Sequence, residues 1–239
     1  MKILLTNDDG FNAKGIRGLY EAIKTTYTVT IVAPGVEANA TSRSLTLKRP
    51  LKIKRFASDI IAVYGTPTDC VILGVHELLD FKPDIVISGI NSCANLGEDA
   101  GYSGTVGAAI EGAMSGIPSI ALSFFNEDDK GSVDFDAAVD FVHKAVKSLE
   151  KGQWNNPCMV LNVNIPYLPK GIRITRLGRR NYEDIVSKHR NCYLIGGTRK
   201  DFIENETDIE ACKEGYISVT PLLLDLTNYD AINLLKNVF

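Results

Sequence analysis

Two adjacent carboxylates near the start of the chain are the side chains best suited to chemistry. Asp8 and Asp9 lie in the segment Asn7-Asp8-Asp9-Gly10, directly after the apolar run 2–6. A short apolar run of this kind indicates a buried strand, so the carboxylates are predicted at its carboxyl end. In open α/β sheets, ligands bind at that edge. The segment is therefore the first candidate for a functional site.

Neighbouring carboxylates repel each other unless a cation or hydrogen-bond donors lie between them. One interpretation is a solvated turn in which an Asp caps the helix predicted at about residues 15–24. The other is a divalent-cation site. Oxygen ligands suit hard ions, so Mg²⁺ or Mn²⁺ is expected, with Ca²⁺ also compatible, and zinc is not.

Two further polar loops are predicted to reach the same edge of the sheet. Residues 36–44 follow a β-branched run at 27–33, and residues 89–103 follow an apolar run at 84–88. The oxygen-bearing side chains they offer are Asn39, Thr41, Ser42, Ser44, Asn91 and Asn95. Two carboxylates and two neutral oxygens would hold a divalent ion and leave room for water and substrate.

The segment Ser103-Gly104-Thr105 precedes a predicted helix of small residues at 105–114. Backbone N–H groups at a helix N-terminus bind phosphate well, and Gly104 permits close approach. Ordinary capping by Ser or Thr explains the segment equally well. Beside a hard divalent ion, the phosphate interpretation points to phosphoryl chemistry.

The elements that must position these loops alternate between strand and helix as far as about residue 150. This alternation predicts an α/β fold with a doubly wound, mainly parallel sheet, which the run 159–165 could join. Beyond it, helical periodicity is lost until a last helix at 226–238. We therefore predict a catalytic core at 1–168 and a C-terminal extension with a β-hairpin, a strand and a helix at 169–239.

The extension is predicted to form an oligomer interface. Isolated hairpins are marginally stable, and exposed strand edges invite pairing with another chain. The final helix is apolar at Ile232, Leu234, Leu235 and Val238 and needs a surface to pack against. Exchange of these elements between identical chains would pair the strand edges and bury the helix. Dimers are the commonest symmetric result.

Composition limits the partners and the location. The chain has 239 residues, 45% hydrophobic and 23% charged, with a net charge of −3. Without a basic tract, no nucleic-acid polymer is expected as a partner. No apolar run is long enough for a membrane span or a signal peptide, so we expect no membrane partner and a cytoplasmic protein. The five Cys contain no Cys-x-x-Cys pair and are expected to be reduced.

Several catalytic patterns are absent from the sequence. It has no GxxxxGK[ST] phosphate loop, no GxSxG nucleophile motif and no metal-binding spacing of its three His. An aspartyl-phosphate phosphatase would need Asp-x-Asp after the first strand, where this chain has Asn7-Asp8-Asp9. A phosphoacceptor receiver domain would need a further Asp where this chain has Ser88-Gly89.

Four segments of the chain together carry a family resemblance: LLTNDDGFNAKGI, APGVEANATSRSLTL, GTPTDCV and VISGIN…NLG…SGTVGAAIEGAMSGIPSIALS. They follow in order over residues 1–123, with weaker similarity in LNVNIP and EGYISVTPL. In these segments the sequence resembles the survival protein E (SurE) family of nucleoside monophosphate phosphatases. The resemblance implies a Rossmann-like core with a C-terminal extension swapped in a homodimer or homotetramer. It also implies one divalent metal and hydrolysis of 5′- or 3′-nucleotides.

The resemblance also assigns roles to individual positions. The family's metal ligands fall on Asp8, Asp9, Asn39 and Asn91. Positions around the phosphate fall on Asn7, Asn95, Ser103, Gly104 and Thr105. The family has Ser where this chain has Asn39, and its Asn-Arg-Gly-x-Asn motif reads Asn91-Ser92-Cys93-Ala94-Asn95 here.

We therefore predict a metal-dependent phosphatase that hydrolyses nucleoside monophosphates, with Asp8 or Asp9 as the base for a metal-activated water. The alternative is a non-catalytic sensor that binds a divalent cation or a nucleotide without turning it over.

Overall fold

The structure is a computed structural model that describes residues 1–126, 134–154, 156, 158–183, 185–236 and 238–239. Strands in the first part of the chain are β1 (Lys2–Thr6), β2 (Thr28–Pro34), β3 (Ile53–Ala57), β4 (Ile60–Val63), β5 (Ile85–Asn91), β6 (Ser119–Phe125) and β7 (Val160–Pro166). The later strands are β8 (Ile172–Ile174), β9 (Arg179–Glu183), β10 (Val186–His189), β11 (Cys192–Ile195), β12 (Thr198–Phe202) and β13 (Ile217–Leu222).

The α-helices are α1 (Lys14–Ile23), α2 (Pro67–Leu73), α3 (Gly104–Met114), α4 (Phe135–Glu150), α5 (Asp208–Lys213) and α6 (Tyr229–Leu235). A π-helical turn at Gly74–Leu78 continues α2, and a 3₁₀ turn at Gly97–Gly101 leads towards α3. No helix among the described residues is long and apolar enough to cross a membrane.

Nine of the thirteen described strands form one sheet in the order β3-β4-β2-β1-β5-β6-β7-β13-β8. The other four form two antiparallel pairs, β10 with β11 and β9 with β12. From β4 to β7 all neighbours are parallel. The central strand β1 lies between β2 and β5, so the chain order reverses there. A reversal of this kind opens a crevice at the carboxyl ends of the two strands, where ligands bind.

Helices cover both faces of the sheet, as the predicted doubly wound α/β fold requires. Alternate side chains of β1 face opposite sides: Ile3 and Leu5 pack in the cluster that includes α1 and α4, and Leu4 packs in the one that includes α2 and α3. All three are fully buried. Burial on both faces explains why β1 appears in the sequence as a continuous apolar run.

The C-terminal part departs from the predicted elements in detail. The last helix, predicted at 226–238, is confined to Tyr229–Leu235, and strand β8 is only three residues long. Helix α5 was not predicted because six residues are too few to show a helical period. Strands β13 and β8 extend the main sheet, and β13 runs antiparallel to β7. The division at residue 168 stays a prediction.

Candidate active site

The turn after β1 is closed by the side chain of Asn7. Its Oδ1 accepts a hydrogen bond from Gly10 N (3.2 Å), and its Nδ2 donates to the Gly10 carbonyl (3.0 Å). Gly10 has φ +104°, a conformation that side-chain-bearing residues rarely adopt. This closed turn fixes the backbone on either side of Asp8 and Asp9.

Thr105 holds the Asp8 carboxylate against the N-terminus of α3. Its Oγ1 donates to Asp8 Oδ1 (2.6 Å) and its N–H donates to Asp8 Oδ2 (3.0 Å). Asp8 is only 4% exposed. Burial raises the pKa of Asp8, and the two Thr105 hydrogen bonds oppose the rise. The carboxylate is therefore oriented before any ligand arrives.

The carboxyl group of Asp9 is partly buried and lies near two other negative charges. Burial, together with the charges of Asp8 and Glu37, raises the pKa of Asp9 to about 6. A bound cation would stabilise the ionised carboxylate and lower this pKa again. The oxygen-only donors here fit a hard divalent ion.

The second predicted loop is fastened to both of the other loops. Ala38 N–H donates to the Asp8 carbonyl (2.8 Å), and Ser42 N–H donates to the Tyr102 carbonyl (3.0 Å). A Cβ on Gly104 would lie 3.0 Å from both Asp8 Oδ2 and Thr41 Oγ1, so both side chains pack closely against this glycine. The structure thus brings the three loops together at one edge of the sheet, as predicted.

The amides of Asn39 and Asn91 are each oriented through their nitrogen. Asn39 Nδ2 donates to Glu37 Oε1, and Asn91 Nδ2 donates to the Cys93 carbonyl (2.8 Å). Both hydrogen bonds leave the amide oxygens available as neutral ligands. Their role in metal binding stays a prediction.

Asn95 is held by a buried polar network that the sequence analysis missed. Its Nδ2 donates to Ser123 Oγ (2.8 Å), and its N–H donates to Asn164 Oδ1 (2.8 Å). Asn162 Nδ2 donates to the Asn95 carbonyl (2.8 Å). Asn162 and Asn164 are two residues apart on the otherwise apolar β7. A pair of Asn on one face of a buried strand was the available signal.

These residues surround a cleft of about 250 Å³ at the switch point. The predicted site residues that line it are Asp8, Asp9, Asn39, Asn91, Asn95 and Ser103. Asp99 and Tyr102 line it too and were not predicted. Asn7, Gly104 and Thr105 do not line the cleft. Asn7 closes the turn that carries the two Asp, and Thr105 hydrogen-bonds to Asp8 from the start of α3. Ser103 Oγ accepts from Val106 N (3.1 Å), so it caps α3.

A larger cavity, of about 600 Å³, lies beside α4 and shares no lining residue with this cleft. It contains none of the predicted site residues, so size alone does not identify the site. Among the described residues there is no cluster of three or more His, Cys, Asp or Glu placed to hold a metal ion. The predicted donors at the switch-point cleft are instead the carboxylates of Asp8 and Asp9 and the neutral amides of Asn39 and Asn91.

Comparison with known proteins shows extensive similarity. Residues 3–184 match the family model described as Survival protein SurE. A 5′-nucleotidase SurE of Geotalea uraniireducens (strain Rf4) is 46% identical, over 99% of this chain and 98% of that protein. A 5′/3′-nucleotidase SurE of Wigglesworthia glossinidia brevipalpis is 43% identical, over 100% and 98%. The crystal structure of the SurE protein from Aquifex aeolicus superposes with a TM-score of 0.86 at 42% identity, covering 100% of this chain and 99% of that chain. The chain belongs to the SurE family.

Proposed function

We propose that this chain is a divalent-metal-dependent phosphatase that hydrolyses nucleoside 5′-monophosphates to nucleoside and phosphate. The observation that supports it most is the pairing of Asp8 and Asp9 in a polar cleft at the switch point of the sheet, with Asp8 fixed by Thr105. Relatives named 5′-nucleotidase SurE match nearly the full chain. One relative is named a 5′/3′-nucleotidase, so 3′-monophosphates are proposed as further substrates.

We propose Asp8, Asp9, Asn39 and Asn91 as the ligands of one Mg²⁺ or Mn²⁺ ion. When bound, such an ion stabilises negative charge on phosphoryl oxygens and lowers the pKa of a water molecule. Asp8 accepts two hydrogen bonds from Thr105 and so keeps one orientation. Asp9 is not held in that way and is the better-placed base for the attacking water.

We propose that the remaining predicted residues bind and orient the phosphate. Asn95 and Ser103 line the cleft and are buried at 7% exposure each. Gly104 opens the first turn of α3, where backbone N–H groups favour an anion. Thr105, whose N–H and hydroxyl both donate to Asp8, would act through that carboxylate. Asn7 would act through the turn that it closes.

The function is tested by measuring phosphate release from a panel of nucleoside 5′- and 3′-monophosphates and from p-nitrophenyl phosphate. We expect hydrolysis with Mn²⁺ or Mg²⁺ that stops on chelation by EDTA and returns with added metal. Binding of nucleotide and metal without turnover would instead support the sensor alternative. Undiminished turnover in EDTA would contradict metal dependence.

Asn39 offers a separate test of the ligand set. If its amide oxygen binds the metal, Asn39→Ser should stay active because a hydroxyl oxygen can replace it. Asn39→Leu should weaken metal binding by about tenfold or more, as loss of groups around metal sites does. Asn39 is exposed, so neither change should disturb folding. Calorimetric Mn²⁺ affinity in the Leu variant equal to that of the parent would show that Asn39 is only a turn residue.

We also propose that the C-terminal extension pairs with a second copy of the chain. Helix α6 buries none of its residues, and Leu226, Leu234 and Val238 are at least two-thirds exposed. The hairpin of β10 and β11 also exposes apolar side chains, including Tyr193 and Ile195. Exposed apolar surface of this extent marks interaction sites.

Light scattering on the intact chain and on a chain ending at Thr227 tests this pairing. The intact chain should be a dimer or tetramer, and the shortened chain should shift towards monomer because it lacks α6. A monodisperse monomer for the intact chain would contradict the proposal.

A further inference from the structure

We propose that Arg180, in the C-terminal extension, is a positioning residue for the cleft, acting through Asp99 on the segment 97–103. This inference rests on the proposed nucleotidase function for its activity readout. It assigns a role in the site to strand β9, which contributes no residue to the lining of the cleft.

Arg180 is a buried cation between two carboxylates. Its side chain is 1% exposed, and Nη1 lies 2.6 Å from Asp99 Oδ2. Its Nε lies 2.7 Å from Asp201 Oδ1, and Asp201 is its partner across β9 and β12. Separating Arg180 from either carboxylate would leave a buried charge without its partner, which is strongly destabilising. The ion pairs therefore restrain the positions of the groups that they join.

Asp99 connects Arg180 to the cleft, because Asp99 is one of the residues that line it. Tyr182 Oη donates to both Asp99 oxygens, at 2.8 and 2.9 Å. The Arg180 N–H donates to the Glu98 carboxylate. Three groups of β9, the Arg180 guanidinium, the Arg180 main-chain N–H and the Tyr182 hydroxyl, therefore bind two consecutive residues of the loop. The loop cannot shift without breaking these hydrogen bonds.

A second tether lies one residue earlier in the loop. Asp208, at the start of α5, accepts from Gly97 N (2.9 Å) and from Gly178 N (2.7 Å). A Cβ on Gly97 would lie 2.9 Å from the Gly178 carbonyl oxygen, so loop and extension touch backbone to backbone. Asp208 is fully buried.

The segment 97–103 leads directly to Thr105, the residue that orients the Asp8 carboxylate. Ser103 N–H donates to the Asp99 carbonyl (3.1 Å), and the chain then enters α3 at Gly104. Thr105, one residue further on, fixes Asp8. A displacement of Asp99 therefore moves the start of α3 against the Asp8 turn, and catalysis is sensitive to such shifts.

The test compares Arg180→Met, Arg180→Lys and Tyr182→Phe with Arg179→Met as the matched control. Arg179 is the neighbouring residue of β9, and its side chain is 63% exposed. The measurements are kcat and KM per folded molecule, Mn²⁺ affinity by calorimetry, and hydrogen exchange of the amides at 97–103. The folded fraction comes from urea unfolding.

We expect Arg180→Met to lower kcat by about tenfold to a hundredfold, the range typical of groups that orient a metal site. Exchange at 97–103 should become faster, and Arg180→Lys should recover part of kcat because it restores a cation. Tyr182→Phe removes only a hydroxyl, leaves no stranded charge, and should lower kcat by a smaller factor with faster exchange at the same amides. Arg179→Met should match the parent.

If Arg180→Met and Tyr182→Phe both match Arg179→Met in kcat and exchange, the inference is overturned. If Arg180→Met does not fold, Tyr182→Phe decides by the same two readouts. Reduced stability with unchanged kcat per folded molecule would also overturn it, since that is a structural role alone. If the parent shows no hydrolysis, the proposed function fails, and exchange at 97–103 still tests the tether.

Discussion

Asp8→Asn and Asp9→Asn should each lower kcat/KM by about a hundredfold or more while the fold is retained. Changes to groups that merely support a metal site cost about tenfold to a hundredfold, so loss of a charged ligand should cost at least as much. Asp8→Asn also replaces an oxygen that accepts from Thr105 with an amide nitrogen. Mn²⁺ affinity should fall in parallel with activity.

The same assays on Asp140→Asn provide the control, since Asp140 lies exposed on α4 and is not a lining residue of the cleft. Calorimetry is the deciding measurement. Undiminished Mn²⁺ affinity in both the Asp8 and the Asp9 variants would contradict the proposal that the pair shares one ion.

Gly107→Ala should damage the site from outside it. A Cβ there would lie 2.1 Å from the Ser42 carbonyl oxygen, a separation that no Cβ can keep. Alanine normally gains about 1 kcal/mol over glycine within a helix. Overpacking costs about 1–3 kcal/mol, and this contact is with backbone that cannot rotate away. We expect net destabilisation, and a drop in kcat of about a hundredfold as the loop that carries Asn39 shifts.

Gly101→Ala is the matched control, because nothing lies within 4 Å of the added Cβ. It should change the free energy of unfolding by less than about 0.5 kcal/mol. Urea unfolding and kcat are measured on both variants. A Gly107→Ala protein as stable and active as the Gly101→Ala protein would mean that the contact between α3 and the loop is not needed.

The sequence predicted the Asp8 turn and its surroundings because their signals are local. The apolar run before Asp8 identifies a doubly covered strand, and the glycine after Asp9 identifies a turn. The segment Thr66-Pro67-Thr68-Asp69 is likewise a local signal for a helix start, and in the structure Thr66 and Asp69 form a capping box at the start of α2. Since parallel strands share one carboxyl edge, the meeting of the three loops followed from their order.

Long-range partners could not be predicted in the same way. Asp8 and Thr105 are 97 positions apart, and Asn95 and Asn164 are 69 apart, so no periodicity links them. Thr105 was expected at a phosphate, and the structure shows its N–H and hydroxyl on Asp8. Arg180 follows another Arg in the sequence, and nothing near it along the chain indicates burial; its distant partners Asp99 and Asp201 explain it.

Anomalous diffraction at the manganese edge, from crystals of the chain soaked in Mn²⁺, is the most direct test that Asp8 and Asp9 share one metal ion. We predict one strong peak in the switch-point cleft, within bonding distance of carboxylate oxygens of both Asp8 and Asp9. A strong peak elsewhere with none between these carboxylates, or no peak at saturating Mn²⁺, would contradict it.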